Sequence, residues 1–282
     1  MLFGLLLASQ FWLMSDRASF WDAEKISHHT EFMQRANLQT TTFDSEKIKE
    51  KNVLLLVHGY NNTPEEALST YRLINLHISA FKDSRQSKFY DLVIGYLWPG
   101  DDSVLKYYDA KRHIAKLAKT MRSHLELLSA SAAKVDVLAH SMGNRLMFEA
   151  LNYPSNGIKK IVRNFYSFAA AVDNESIEIN EKYYPSTQNC EKIFVFYSKR
   201  DNVLKWDYSL AEWDEALGYG GAENPKKLPE NVEVINYTNL IGQHSQYFAI
   251  LPVYEFIKKQ FLASKPEKLS ALKKSRKAVE AQ

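Results

Sequence analysis

Residues able to do nucleophilic chemistry gather around Ser141. The stretch Val135-Asp136-Val137-Leu138-Ala139-His140-Ser141-Met142-Gly143-Asn144-Arg145 is an apolar strand running into a small-residue turn and then directly into a helix. A serine at such a turn is presented outside the sheet edge, and the following N–H groups can hold developing negative charge. The positions two before and two after it must be small, because the strand and helix nearly touch there. Ala139 and Gly143 meet that demand, and Ala139 shows that smallness, rather than freedom of φ, is what its position requires. Chemistry of this kind is acyl transfer, and it needs a base and an acid.

The base is expected late in the chain. Of the eight histidines, His244 follows the last apolar strand, just after the turn permitted by Gly242. His77, His113 and His124 fall in helical patterns and read as surface residues; His140 belongs to the serine turn and points away. His28 and His29 sit in a polar stretch without pattern. Two carboxylates stand at strand ends between Ser141 and His244. Asp201 comes after Ile193–Tyr197 and is ranked first by chain order Ser, acid, His; Asp173, after Phe165–Ala171, is the alternative. A second oxyanion donor is expected in the loop His58-Gly59-Tyr60-Asn61-Asn62, from the backbone of Tyr60, beside that of Met142. His58 and Gly59 support that loop.

The elements that must position these residues follow from hydrophobic patterning. Short apolar runs at Val53–Val57, Leu92–Leu97, Val135–Leu138, Phe165–Ala171, Ile193–Tyr197 and Val232–Tyr237 predict strands, several of them apolar at consecutive positions as in a parallel sheet covered on both faces. Thr63-Pro64-Glu65-Glu66 opens a helix with a capping box and proline in its first turn. Further helices are predicted from about Val104 to Leu128, from Met142 to near Asn156-Gly157, and over Tyr254 to Leu262. The alternation predicts an α/β fold with a mostly parallel central sheet and helices on both faces. The segment from Val203 to Glu230 reads as the longest irregular connection and as a candidate border, or mobile lid, of the site.

Three divisions are expected: 1–50, an N-terminal strand and extension packed on the main domain; 51–263, the main α/β domain; and 264–282, a basic, disordered tail. The chain has 282 residues, 45% hydrophobic and 24% charged, with a net charge of +3. The last 18 residues carry +4, leaving −1 on the rest, which excludes the domain as a nucleic-acid binder. One cysteine, Cys190, excludes a disulfide framework and a cysteine-built zinc site. Only ten glycines are present, against roughly 20 at average usage, so each is a candidate for a place where the backbone needs one, as at Gly59, Gly143 and Gly242. Met1–Met14 is apolar but short for a bilayer span and lacks a basic leader, and Phe11-Trp12-Leu13-Met14 reads as a buried strand. A cytoplasmic location is favoured, with export or membrane association through Met1–Met14 as the alternative. Membrane contact through that segment and the basic tail is not favoured.

The sequence resembles the α/β-hydrolase superfamily and, within it, a bacterial branch of uncharacterised serine hydrolases. The resemblance rests on His58-Gly59-Tyr60-Asn61-Asn62, Trp98-Pro99-Gly100 with Tyr107 and Asp109, His140-Ser141-Met142-Gly143-Asn144-Arg145, Ser198 to Asp201, and Gly242 with His244. It spans roughly 52–261. It implies a serine hydrolase with Ser141, Asp201 and His244 as triad, and it departs from the branch in lacking a proline before Asp173 and in having Gly100 where a serine is usual. The expected reaction is cleavage of a carboxylic ester with a partly apolar acyl group, given aromatic Tyr60, Trp98, Trp206, Trp213 and Tyr247 near the strand ends, with no metal or organic cofactor. A non-catalytic binding protein on the same scaffold, or a thioesterase or acyltransferase with the same triad, are the competing readings. Oligomeric state stays open.

Overall fold

The computed structural model describes residues 10–34, 39–41, 43–81, 88–100, 103–154 and 160–264. Among them, nine strands form one sheet. In chain order they are β1 (Gln10–Arg17), β2 (Ile26–Gln34), β3 (Gln39–Thr41), β4 (Asn52–Val57), β5 (Leu92–Leu97), β6 (Lys134–His140), β7 (Val162–Phe168), β8 (Cys190–Tyr197) and β9 (Val232–Asn236). The spatial order is β3-β2-β1-β5-β4-β6-β7-β8-β9. All neighbours from β1 to β9 pair in parallel; only β2 on β1 and β3 on β2 are antiparallel.

The helices are α1 (Pro64–Ala80), α2 (Tyr107–Ser131), α3 (Met142–Asn152), the short α4 (Tyr184–Thr187), α5 (Ser209–Glu212) and α6 (Leu217–Gly220), and α7 (Leu251–Ala263). Val53 to Val57 are buried without a break, because helices cover both faces of the sheet. The capping box at Thr63 is formed, with Thr63 Oγ1 accepting from the Glu66 N–H and Glu66 accepting from the Thr63 N–H. Ala67, Leu68, Tyr71, Ile74 and Ile78 make the buried stripe of α1. Tyr71 lies where a Cβ on Gly95 would stand, 2.4 Å from its ring, which gives this glycine its task.

The polar segment after Arg17 forms two antiparallel strands, β2 and the edge strand β3, and β1 is hydrogen-bonded between β2 and β5 as part of the same sheet. β1 delivers Arg17, fully buried, to the C-terminal end of the sheet. Asp16 accepts from the Tyr96 hydroxyl at 2.7 Å and lies 3.0 Å from Nε2 of His124. His124 is therefore a buried partner and not the surface residue its helical position suggested. α2 begins at Tyr107 after a 3-10 turn, and α7 at Leu251, one turn earlier than the apolar spacing predicts. α3 ends at Asn152; Asn156 and Gly157 lie outside the described residues, as do 1–9 and the tail from 265. No helix among the described residues is long and apolar enough to cross a membrane.

Candidate active site

The C-terminal ends of β4 and β6 and the segments after β7, β8 and β9 converge on one cavity of about 840 Å³. Ser141 sits between β6 and α3 with φ 53° and ψ −126°, a strained backbone for a residue with a Cβ. Several contacts hold it there. The Ser141 N–H donates to the Phe168 carbonyl at 3.0 Å, and its own carbonyl accepts from the N–H groups of Asn144 and Ala171. The Asn144 side chain donates to the carbonyls of Ser141 and Phe168, and Arg145 Nε donates to the Ala171 carbonyl at 3.1 Å. Asn144 and Arg145 thus tie the serine turn to the end of β7.

Asp201 is fully buried, and both its oxygens are engaged. Oδ1 accepts from the Leu204 N–H at 3.1 Å, and Oδ2 stands 2.7 Å from His244 Nδ1. Ser198 Oγ donates to the Ile241 carbonyl, linking the loop after β8 to the one that carries His244. Gly242 donates its N–H to the side chain of Gln246, which closes that turn. Asp173 goes elsewhere. Its Oδ1 accepts from the Tyr208 hydroxyl, and its backbone bridges to Ala216. Chain order left both carboxylates open; the geometry puts Asp201 on His244 and Asp173 under the segment after Asp201.

Gly59, Tyr60, Ser141, Met142 and His244 all line the cavity. A Cβ on Gly59 would lie 2.9 Å from the Cβ of Ser141, so this glycine lets the loop pass close to the serine. His58 braces that loop. Its Nδ1 lies 2.6 Å from the Gly59 carbonyl, and Nε2 receives the Trp98 N–H and Arg17 Nη2, each at 3.3 Å. These contacts fix a neutral ring that donates from Nδ1 and accepts at Nε2. Burial, reinforced by the Arg17 charge, pushes its pKa down to about 3. His140, whose place in the serine turn suggested no task, directs Nε2 to the backbone carbonyl of His244 at 2.9 Å. Burial, then the neighbouring His244, lowers its pKa to about 3 as well.

Both rings are neutral when folded and titrate near 6.5 when unfolded. Between those values the unfolded chain binds protons that the folded one cannot, so stability is present above pH 6.5 and is lost as pH falls. Counting these two histidines alone, about 3–4 kcal/mol should disappear between pH 7 and pH 5. Urea midpoints at the two pH values measure it. His140→Asn should remove about half of the difference, and an unchanged pH slope in that variant would refute the assignment.

Residues 203–212 are helical rather than irregular. Val203–Tyr208 is a π-helical turn that continues into α5. Its inner face is fastened by Glu212, which accepts from the Tyr107 hydroxyl at 2.6 Å and from Lys111 at 2.8 Å and pairs with Arg145 at 3.2 Å. Burial pushes the Tyr208 hydroxyl well above its ordinary pKa. Val203, Leu204, Tyr208, Leu210 and Ala211 line the cavity. Of the aromatic residues that suggested an apolar pocket, only Tyr60 lines it. Trp98 and Tyr247 are core, and Trp206 and Trp213 are 64% and 87% exposed. The aromatic lining comes instead from Tyr71, Tyr107, Tyr108, Tyr208 and Phe248.

Residues 31–245 match the model of a family described as "Alpha/beta hydrolase of unknown function (DUF900)". No curated protein matches the chain. Similar solved structures include the esterase Pf2001 of Pyrococcus furiosus, 10% identical over 83% of this chain and 84% of that one, with a TM-score of 0.46. Lipase B of Aspergillus fumigatus is 14% identical over 74% and 51%, at a TM-score of 0.42. Est1E from Butyrivibrio proteoclasticus is 12% identical over 76% and 90%, at 0.38.

Proposed function

Since the chain belongs to this family of alpha/beta hydrolases, we propose that it is a serine hydrolase that cleaves carboxylic esters through an acyl-enzyme on Ser141. The observation that carries the reading is the 2.7 Å contact between Asp201 and His244 Nδ1, beside the cavity that a strained Ser141 also lines.

With Nδ1–H given to Asp201, the basic nitrogen of His244 is Nε2. It takes the proton from Ser141 as the oxygen attacks the ester carbonyl carbon. The N–H groups of Tyr60 and Met142 hold the oxyanion, and the N-terminus of α3 favours charge there. The C–O bond to the alcohol breaks as His244 protonates the leaving oxygen. Water then repeats the sequence on the acyl-enzyme, with His244 again as base. His58 and His140 act at one remove by fixing the two loops. Leu138, Leu204, Leu210 and Phe248 give the acyl group an apolar wall.

The test is labelling with a fluorophosphonate probe. A single adduct is expected on the peptide containing Ser141, with none in Ser141→Ala. Labelling that persists in the variant would sink the assignment, and inertness of well-folded wild-type protein would favour a binding role on the same scaffold.

A further inference from the structure

The charge on the cavity wall narrows the substrate. Among the described residues that line it, no lysine or arginine is present, and the carboxylates are Glu66 and Asp207. They come from two elements, the first turn of α1 and the π-helical turn, and both are exposed at the solvent side. The histidines His58 and His140 are neutral. The buried arginines nearby are not part of the wall. Arg145 is spent on Glu212, Tyr208 and the Ala171 carbonyl, and Arg17 reaches His58 and the Trp98 carbonyl.

We infer, building on the serine-hydrolase reading above, that the site accepts esters whose acyl and alcohol parts are uncharged or cationic and refuses anionic ones. Two physical effects act together. A carboxylate or phosphate carried into the cavity loses water without meeting a cationic side chain. It must also pass two like charges at the mouth, where low-dielectric walls concentrate the field. Acyl-CoA thioesters, phosphorylated alcohols and half-esters of dicarboxylic acids are therefore poor substrates, which sets the chain apart from a thioesterase with the same triad.

The experiment compares p-nitrophenyl monoglutarate with its methyl ester, which matches its reacting group and lacks only the charge. The expected kcat/KM ratio is about 10–100-fold in favour of the methyl ester at low salt. The part due to Glu66 and Asp207 shrinks with added salt, and Asp207→Lys narrows the ratio. Butyryl-CoA should be hydrolysed more slowly than p-nitrophenyl butyrate by a still larger factor. Equal turnover of the two glutarates, or faster turnover of butyryl-CoA, overturns this inference alone. If no ester is hydrolysed and Ser141 is not labelled, the parent reading falls and the inference with it.

Discussion

Asp201→Asn is expected to lower kcat toward a p-nitrophenyl ester by about 10⁴-fold, while Asp173→Asn keeps it within a few-fold. Asp201 accepts two N–H groups on separate oxygens, Leu204 on Oδ1 at 3.1 Å and His244 on Oδ2 at 2.7 Å. An asparagine has one acceptor oxygen to share between them. If the oxygen keeps the Leu204 N–H, the amide NH2 faces His244 Nδ1 and forces the proton onto Nε2. The ring then presents a donor to Ser141 and cannot act as base. Asparagine has the same shape and can keep both contacts, so thermal unfolding should move little. Asp173 instead accepts from the Tyr208 hydroxyl, a bond that an asparagine oxygen can also accept, so Asp173→Asn should leave KM as well as kcat within a few-fold. Measuring kcat and KM separately for both variants decides the matter, and a reversal of their effects would transfer the acid role to Asp173.

Gly143→Ala should cost about 1–3 kcal/mol of stability and a further ~10²-fold in kcat/KM. A Cβ at this position would stand 2.4 Å from the His58 carbonyl oxygen and 2.8 Å from that of Val57. Both are backbone atoms at the end of β4, so relief requires moving the loop that carries Gly59 and Tyr60 away from the serine. On the proposed mechanism, the donors would then miss the place where the oxyanion forms. Gly242→Ala is the matched control, because its Cβ would meet the guanidinium end of Arg200 at 3.1 Å, which can turn aside, and the Gln246 side-chain oxygen at an ordinary 3.6 Å. Urea unfolding and ester kinetics on both variants check the contrast, and an active, stable Gly143→Ala protein would contradict it.

What could be read from the sequence was what is local. The serine turn is a contiguous pattern of strand, small residues and helix, and His244 follows the last strand by simple order. The choice between Asp173 and Asp201 was not local, since both follow strand ends and the deciding contact spans 43 residues. β2 escaped because Ile26–Gln34 is mostly polar, as a strand next to the sheet edge and covered on its outer side only by short β3 can be. His124 was misread for a related reason: its helical position hides a partner, Asp16, 108 residues away. Aromatic residues misled in another way. A tryptophan or tyrosine at a strand end suits core and pocket equally, and only packing separated buried Trp98 and Tyr247 from cavity-lining Tyr107 and Tyr208.

The interior place of β1 has a consequence for how the chain is made. Its antiparallel partner β2 follows within about twenty residues of synthesis, so one edge is covered early. The other edge pairs with β5, Gln10–Ser15 against Leu92–Leu97, and stays open until that strand emerges. At about 5–20 residues per second this leaves apolar Phe11 to Met14 half-paired for several seconds on the ribosome. A pairing so distant in sequence slows folding as well. Production of this protein should therefore depend on whatever shields nascent strands, and conditions that slow translation before β5 should raise aggregation more than those that slow it afterwards.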